Sequence, residues 1–403
     1  MNEDIEPADH SELVSLMEPL LIGSGSRVRP RLTDLAFDLA QRSAGLRRSL
    51  PPSLVSSLAD LVRSMNCYYS NLIEGHDTHP VDIERALKND YSQDFRKRNL
   101  QLEAKAHIIV QQWIDGGGLA PGLVLTPQGI CEIHRRFCEL LPPDRGHVGD
   151  PAAHELLPVP PGQVRRRDVR VGQHVAISPG AVPRFLERFS QVYGRLGKTE
   201  SIVSAAAAHH RLLWIHPFLD GNGRVARLVS HAVFLDVLET GAIWSVARGL
   251  ARNAERYMAL LANCDHPRRN DLDGRGTLSE EALAEFTEFF LTTCLDQVTF
   301  MEGLVQPDRL RTRILHWAEE EIGLGELPSR ANAILEAILY RGELPRGDAD
   351  TVTASSERQA RRIVSALLDK GVLTSGNQRA PLRLAFPAAL ASRWMPGLFP
   401  ERA

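Results

Sequence analysis

The chain has 403 residues, enough to bury a large core in two or three domains, and its 43% hydrophobic and 24% charged content is that of an ordinary globular protein. A formal net charge of -3 gives no bulk electrostatic reason to expect nucleic acid or a membrane surface as the main partner. Cys67, Cys131, Cys138, Cys264 and Cys294 are odd in number and form no CxxC pair, which argues against a disulfide framework or a zinc finger and fits a reducing compartment.

The opening Met1–Glu6 is acidic and lacks an apolar core, so no secretory signal is expected. No run of about 18 apolar residues occurs, so no membrane span is expected and the protein reads as cytoplasmic. Residues 1–30 read as a flexible lead-in. Helical spacing then runs from Leu32 to Leu50 and stops at Pro51-Pro52. A second helix covers Ser53 to Ile73, with Leu54, Leu58, Leu61, Val62, Met65 and Tyr69 at three- and four-residue steps and Gly75 as its C-terminal glycine. Pro80–Leu87, Phe95–Ile114 and, after Gly116-Gly117-Gly118, Thr126–Leu141 continue the helical pattern.

Residues 142–180 are rich in Pro and Gly. Val169–Val175 alternates around Gly172 and predicts a short hairpin, the one strand pair expected before the C-terminal region. Helices resume at Val182–Leu196, Ser201–Ile215, Val225–Leu238 and Leu250–Leu261. Asp271-Leu272-Asp273-Gly274 has a calcium-loop look, but the spacing fails. A turn followed by an N-cap at Ser279 and a helix to Val305 is the reading. From Arg309 on, a helix at Arg330–Tyr340, another at Ser355–Asp369 and strands at 372–374 and 382–384 follow the order of a winged helix.

The chemistry concentrates in His216-Pro217-Phe218-Leu219-Asp220-Gly221-Asn222-Gly223-Arg224-Val225-Ala226-Arg227. Backbone N–H groups at a helix start have no intrahelical partner, and the helix dipole makes them attractive to anions. Gly221 and Gly223 let a ligand approach that backbone, and Arg224 and Arg227 can flank one face and grip phosphate. Asp220 can hold Mg2+ bridging phosphate oxygens, and His216 can take a proton from a hydroxyl. Each residue alone also has a plain structural use: a core histidine, a capping aspartate. The combination suits attack of a hydroxyl on a nucleoside triphosphate.

This stretch resembles the Fic motif, HxFx(D/E)GNGRxxR, at every defined position. The resemblance covers roughly residues 35–305. It implies a mostly α fold with a short β-hairpin flap and transfer of AMP from ATP to a protein hydroxyl. His216 would then be the base acting on a target Ser, Thr or Tyr. Asp220 would bind Mg2+, and Gly221, Asn222 and Gly223 would form the anion hole. Arg224 would contact phosphate and Arg227 the γ-phosphate, with adenine near Asn253 and Tyr257. The flap, about 169–178 and including Val171 and Gly172, would hold the target by strand addition. Ser70-Asn71-Leu72-Ile73-Glu74-Gly75 is similar to the family's inhibitory motif, (S/T)xxxE(G/N), in which the glutamate pairs with the second arginine of the Fic motif. By that resemblance Ser70, Glu74 and Gly75 belong to an inhibitory helix at about 53–75, and Glu74 competes with ATP for Arg227.

The expected domains are the lead-in, a helical region at 31–120, a Fic core at 121–305 and a winged-helix-like (α+β) domain at 306–403. Self-modification and homodimer contacts that release the inhibitory helix stay open under the same reading, and the sequence does not decide the oligomeric state. Arg358, Arg361, Arg362, Lys370, Arg379 and Arg383 suggest DNA contact by the last domain, against the alternative of a solvated or protein-binding face. Three other functions stay open: a DNA-binding regulator whose Fic core senses nucleotide, an enzyme that removes AMP from a protein, and transfer of a different group.

Overall fold

The computed structural model describes residues 6–120, 122–142, 146–150 and 155–400. Among the described residues, sixteen α-helices and three small antiparallel sheets make the fold mostly α, as expected. The chain forms two compact units. The first comprises Met1–Gln41, Asn66–Glu239 and Ser245–Gln297, and the second Arg42–Met65, Thr240–Trp244 and Val298–Ala403.

The helices open with α1 (Arg29–Arg48), α2 (Pro52–Ile73), α3 (Pro80–Leu87), α4 (Phe95–Asp115) and α5 (Pro127–Glu139). The centre of the first unit is the pair α7 (Lys198–Ile215) and α8 (Asn222–Val237), joined by the motif loop. The alanine run Ala205–Ala208 keeps one stretch of α7 narrow, so that helices can pack close around it. The helix is buried almost all round, as a helix without a polar face must be. α6 (Val182–Tyr193) packs on α7, while α4 and α5 pack on α8. Residues 6–28 are tied to this unit: Met17, Leu20 and Ile22 are buried, Tyr193 donates its hydroxyl to the Leu20 carbonyl at 2.6 Å, and Arg211 donates to the Pro19 carbonyl at 3.0 Å.

Among the described residues two strand pairs, not one, precede α6. β1 (His147–Asp150) pairs with β2 (Glu155–Pro158), and β3 (Arg170–Val171) with β4 (His174–Val175). The first pair escaped the sequence reading because its strands lack clean alternation and are flanked by prolines. Gly172, at φ 60°, supplies the first position of the two-residue β3–β4 turn. The expected helix at Leu250–Leu261 is two: α9 (Val246–Arg252) and α10 (Ala254–Asn263), broken at Asn253. The polar loop after it is the turn expected. Asp273 accepts from the Ser279 hydroxyl at 3.0 Å and the Glu281 N–H at 2.8 Å, and Ser279 caps α11 (Glu280–Val305).

The second unit contains α12 (Pro307–Gly323), absent from the sequence reading, then α13 (Ala331–Arg341), β5 (Glu343–Leu344), the short α14 (Ala349–Thr353), α15 (Glu357–Asp369), β6 (Leu373–Thr374), β7 (Leu382–Leu384) and α16 (Ala391–Trp394). β5 and the five-residue α14 are additions to the expected order, too short to leave a periodic signal. The return strand β7 lies between β5 and β6, all antiparallel. Ile334, Leu335, Ile338, Leu344, Ile363, Leu367, Leu382 and Leu384 are buried in this unit.

Candidate active site

α7 ends because His216 turns left-handed, at φ 50°, with its N–H still bonded to the Leu212 carbonyl at 3.1 Å. Such a conformation is strained for a side chain with a Cβ and needs outside support. Arg165 provides it. This guanidinium, 1% exposed, donates Nε–H to the His216 carbonyl at 2.8 Å, Nη1–H to the Arg167 carbonyl at 3.0 Å and Nη2–H to the Ile177 carbonyl, and the Arg165 backbone N–H reaches the Pro217 carbonyl at 2.8 Å. Burial pulls its pKa down to about 10, which leaves it a cation at neutral pH. Arg165 therefore ties the His216 corner to both ends of the β3–β4 segment.

The His216 ring is positioned by its own helix. Nδ1 lies 3.2 Å from the Leu213 carbonyl, and a carbonyl can only accept, so Nδ1 carries the proton and Nε2 keeps its lone pair. Burial lowers the imidazole pKa to about 4, so the ring is neutral at pH 7 and can act as a base.

The loop that follows is closed on itself. The Phe218 N–H donates to Asn222 Oδ1 at 3.0 Å and Asn222 Nδ2–H to the Phe218 carbonyl at 2.8 Å. Gly221, at φ 81°, makes the turn into α8. Beneath the loop His134 of α5 stacks on Phe218, with ring centres 3.8 Å apart and planes 2° from parallel. His134 accepts the Gly162 N–H on Nδ1 at 3.0 Å and faces the Asp220 carbonyl with Nε2 at 3.3 Å. Both bonds suit a neutral ring, and burial lowers its pKa to about 4. The Asp220 carboxylate is 48% exposed and lies only 3.5 Å from Arg224 Nη2. One accessible carboxylate suits Mg2+ held jointly with substrate phosphates, since that ion keeps most of its shell for water and phosphate oxygens. The described residues offer no cluster of three or more ligating side chains that would make an all-protein cage.

Both motif arginines are buried and both are engaged. Arg224 pairs with Glu103, itself 2% exposed, and lies over the Phe137 ring at 5.1 Å. Burial works against its charge, but Glu103, Asp220 and Glu74 outweigh burial and raise its pKa. Arg227, 3% exposed, donates Nε–H to Ser70 Oγ at 2.8 Å, Nη2–H to the Ser70 carbonyl at 3.1 Å and Nη2–H to Glu74 Oε1. Burial raises the Glu74 pKa, yet Arg227, Arg224 and His76 overcome it and hold the carboxyl below its ordinary value.

Glu74 is aimed by the way α2 ends. The His76 N–H bonds to the Asn71 carbonyl at 2.9 Å and the Gly75 N–H to the Leu72 carbonyl at 3.0 Å, with Gly75 at φ 81°. This is a Schellman termination, and it needs the glycine. It sets the Glu74 carboxylate over the first turn of α8. A Cβ at Gly223 would collide with Glu74 Oε1 and come within 3.2 Å of Arg227 Nη1.

The structure thus brings Ser70, Glu74, Asp220, Asn222, Gly223, Arg224 and Arg227 together. It treats Tyr257 differently: 1% exposed, with its hydroxyl bonded to His209 at 2.8 Å and to Arg227, the ring has no face to offer a ligand. Asn253 is exposed at the α9–α10 break, with Nδ2–H donating to the Gly249 carbonyl at 2.9 Å. Val171 and Val175 of the short hairpin are 48% and 68% exposed. Sequence reading missed Arg165, His134, Glu103 and His107. For the last two a signal existed: Asn99, Glu103, His107 and Gln111 recur every four residues on α4, and all four are buried. A polar stripe on the inward face of a helix marks a polar partner, here Arg224 for Glu103. His107 lies in the field of both motif arginines with neither ring nitrogen hydrogen-bonded, and burial lowers its pKa to about 3.

The fold and this loop define a helical protein that presents a neutral histidine and a helix N-terminus on one corner. Residues 124–234 match the Fic/DOC family model. The chain is 27% identical over 218 residues to the protein adenylyltransferase Fic of Drosophila erecta, covering 51% of this chain and 41% of that one. It is 29% identical over 170 residues to the protein of the same name from Drosophila grimshawi, covering 42% and 32%. The chain therefore spans well under half the length of these curated relatives. The crystal structure of a Fic family protein from Desulfovibrio desulfuricans G20 shares the fold at a TM-score of 0.53 and 16% identity, over 91% of this chain and 98% of that one. Residues 124–234 therefore form a Fic/DOC family domain.

Proposed function

We propose that the chain is a protein adenylyltransferase that moves AMP from ATP to a Ser, Thr or Tyr hydroxyl of a target protein and is restrained by Glu74. The observation that carries this reading is the neutral His216 on the same closed loop as the α8 N-terminus, with Glu74 seated on Arg227. The target hydroxyl oxygen attacks the α-phosphorus, His216 Nε2 takes the hydroxyl proton, and the α–β bridging bond breaks to release pyrophosphate. Gly221 and Gly223 leave backbone N–H groups open to phosphate oxygens, and Asn222 holds the loop in that shape. Asp220 would hold Mg2+, which supplies charge neutralisation on the phosphates. Arg224 contacts phosphate, Arg227 takes the γ-phosphate once Glu74 leaves, and Asn253 lies on the adenine side. The exposed valines of the β3–β4 hairpin support target docking by strand addition along Val171-Gly172. In domain terms, residues 121–305 act as the catalytic core, α2 as the inhibitory helix and 306–403 as a winged helix. The order α13, β5, α14, α15, β6, β7 supports that last assignment.

The test is the intact mass of the Glu74→Gly chain after incubation with a candidate target, ATP and Mg2+. A gain of one AMP on the chain or its target, absent with His216→Ala, supports the reading. Transfer of phosphate alone, or none, overturns it. A second reading, removal of AMP from a modified protein, is favoured by one observation: the Glu74 side chain keeps 32% exposure at the mouth of the nest, where it can hold a water. Loss of AMP from a modified target with wild type but not with Glu74→Gly would select it.

A further inference from the structure

The second unit carries a cationic surface that the transfer reaction does not use. α15 is amphipathic: Ala360, Ile363, Val364 and Leu367 are buried, and Arg358, Gln359, Arg361, Arg362 and Ser365 are exposed. Ser356 caps it, accepting from the Gln359 N–H. The tight turn before it is fixed from the side. Ala354 is left-handed at φ 45°, and Arg330 Nη1–H donates to the Thr353 carbonyl at 2.6 Å and to the Ala354 carbonyl. The N-terminal half of α15 is therefore presented rigidly. The β6–β7 loop is also preset: Asn377 Oδ1 accepts the Arg379 and Ala380 N–H groups at 2.8 Å, and Ser375 Oγ–H donates to the Asn377 carbonyl at 2.8 Å.

The charges sort clearly. Lys370 is held by Glu321 and Glu326, and Arg383 by Glu343. Among the described residues Arg361 has only Glu357, with both side chains at least 75% exposed, a pairing a phosphate can replace at little cost. Among the described residues Arg358, Arg362 and Arg379 have no carboxylate partner within 4.0 Å. Four arginines from two elements thus stand ready.

We propose that this surface binds duplex DNA, with α15 seated in the major groove so that Arg358, Arg361 and Arg362 meet the phosphates along its edges and Arg379 reaches a flanking phosphate. A 13-residue helix is about 20 Å long, enough to cross a groove about 12 Å wide. Duplex RNA is excluded by geometry, because its major groove is too narrow for side chains on a helix.

The experiment is fluorescence anisotropy of the full chain with a labelled random-sequence duplex between 50 and 200 mM salt. Wild type is expected to bind, with a slope of log K against log salt of about -3 to -4 for about four phosphate contacts. Arg358→Glu/Arg362→Glu/Arg379→Glu should weaken binding at least tenfold at 50 mM salt and lower the slope magnitude by about 2.7. Arg96→Glu/Lys97→Glu/Arg195→Glu, reversals of exposed charge in the first unit, should leave it unchanged. Should the triple variant fail to fold by circular dichroism, Arg379→Glu on the loop alone should lower the slope magnitude by about 0.9. No duplex binding at 50 mM salt, equal binding by the variants, or binding of polyglutamate in place of duplex overturns the proposal.

Discussion

Removing Glu74 should release the proposed enzyme, and the structure sets the size of the effect. Arg227 is 3% exposed and its Glu74 partner 32% exposed, so the contact is a charged hydrogen bond screened on one side only. Such bonds are worth about 1.5–3 kcal/mol when buried, and the exposed carboxylate argues for about 2. That is about a 30-fold change in the fraction of Arg227 available to a γ-phosphate. Ser70 still holds Arg227 through its Oγ and carbonyl, so Glu74→Gly alone should not unmoor the side chain. The assay is initial-rate incorporation of labelled AMP at subsaturating ATP, wild type against Glu74→Gly, with thermal melts of both. The expected result is an increase of one to two orders of magnitude with little change in melting temperature. An increase below about threefold in a folded variant that still requires His216 would refute competition for Arg227, while leaving the transfer reading intact.

Other consequences follow from the same geometry. With its pKa lowered to about 4, His216 stays about 97% neutral at pH 5.5, where an ordinary imidazole would be about 10% neutral; transfer by Glu74→Gly should therefore be level from pH 8 to 5.5, and a tenfold fall over that range would show an unperturbed base. Arg165→Lys, measured in the Glu74→Gly background, keeps the charge but loses the fork that fixes the His216 corner. It should lower kcat about 100-fold with the KM for ATP within threefold, whereas a merely structural role would lower the melting temperature and leave kcat per folded molecule unchanged. Burial lowers the pKa values of His107 and His209 to about 3 and of His134, His210 and His216 to about 4. The unfolded chain takes these protons near pH 6.5 and the folded one does not, so the stability they contribute is complete above 6.5 and is lost as pH falls towards 4, by up to about 1.4 kcal/mol per pH unit per histidine. Denaturant unfolding at pH 7 and 5.5 should show that loss. His107→Met, which sacrifices no hydrogen bond, should shrink it by about one proton's share; an unchanged pH slope would mean His107 is not the buried neutral ring described.

How much of this could be read from the sequence depends on whether a residue's partner is local. His216 to Arg227 was legible because its closed loop is built into one turn: the glycines, the loop-closing Asn222 and the arginines sit within twelve residues. Gly75 was legible for the same reason, since a helix end announces its own glycine. The Glu74–Arg227 contact spans 153 positions, and only a motif resemblance suggested it. Arg165 left no signal. It lies in Arg165-Arg166-Arg167, where three identical side chains read as a solvated run, and only the fold decides that one of them is buried on backbone carbonyls 12 to 51 residues away. Tyr257 runs in the opposite sense: the resemblance set it near adenine, but the 3.6-residue turn of α10 rotates it inward, and its hydroxyl finds His209 and Arg227 there. α4 marks the boundary between these cases. Its buried polar residues at every fourth position were visible in the sequence, and a stripe of that kind inside a protein must be satisfied by something of opposite character. That requirement alone would have told a reader to look for a cation opposite Glu103, although not that the cation is Arg224.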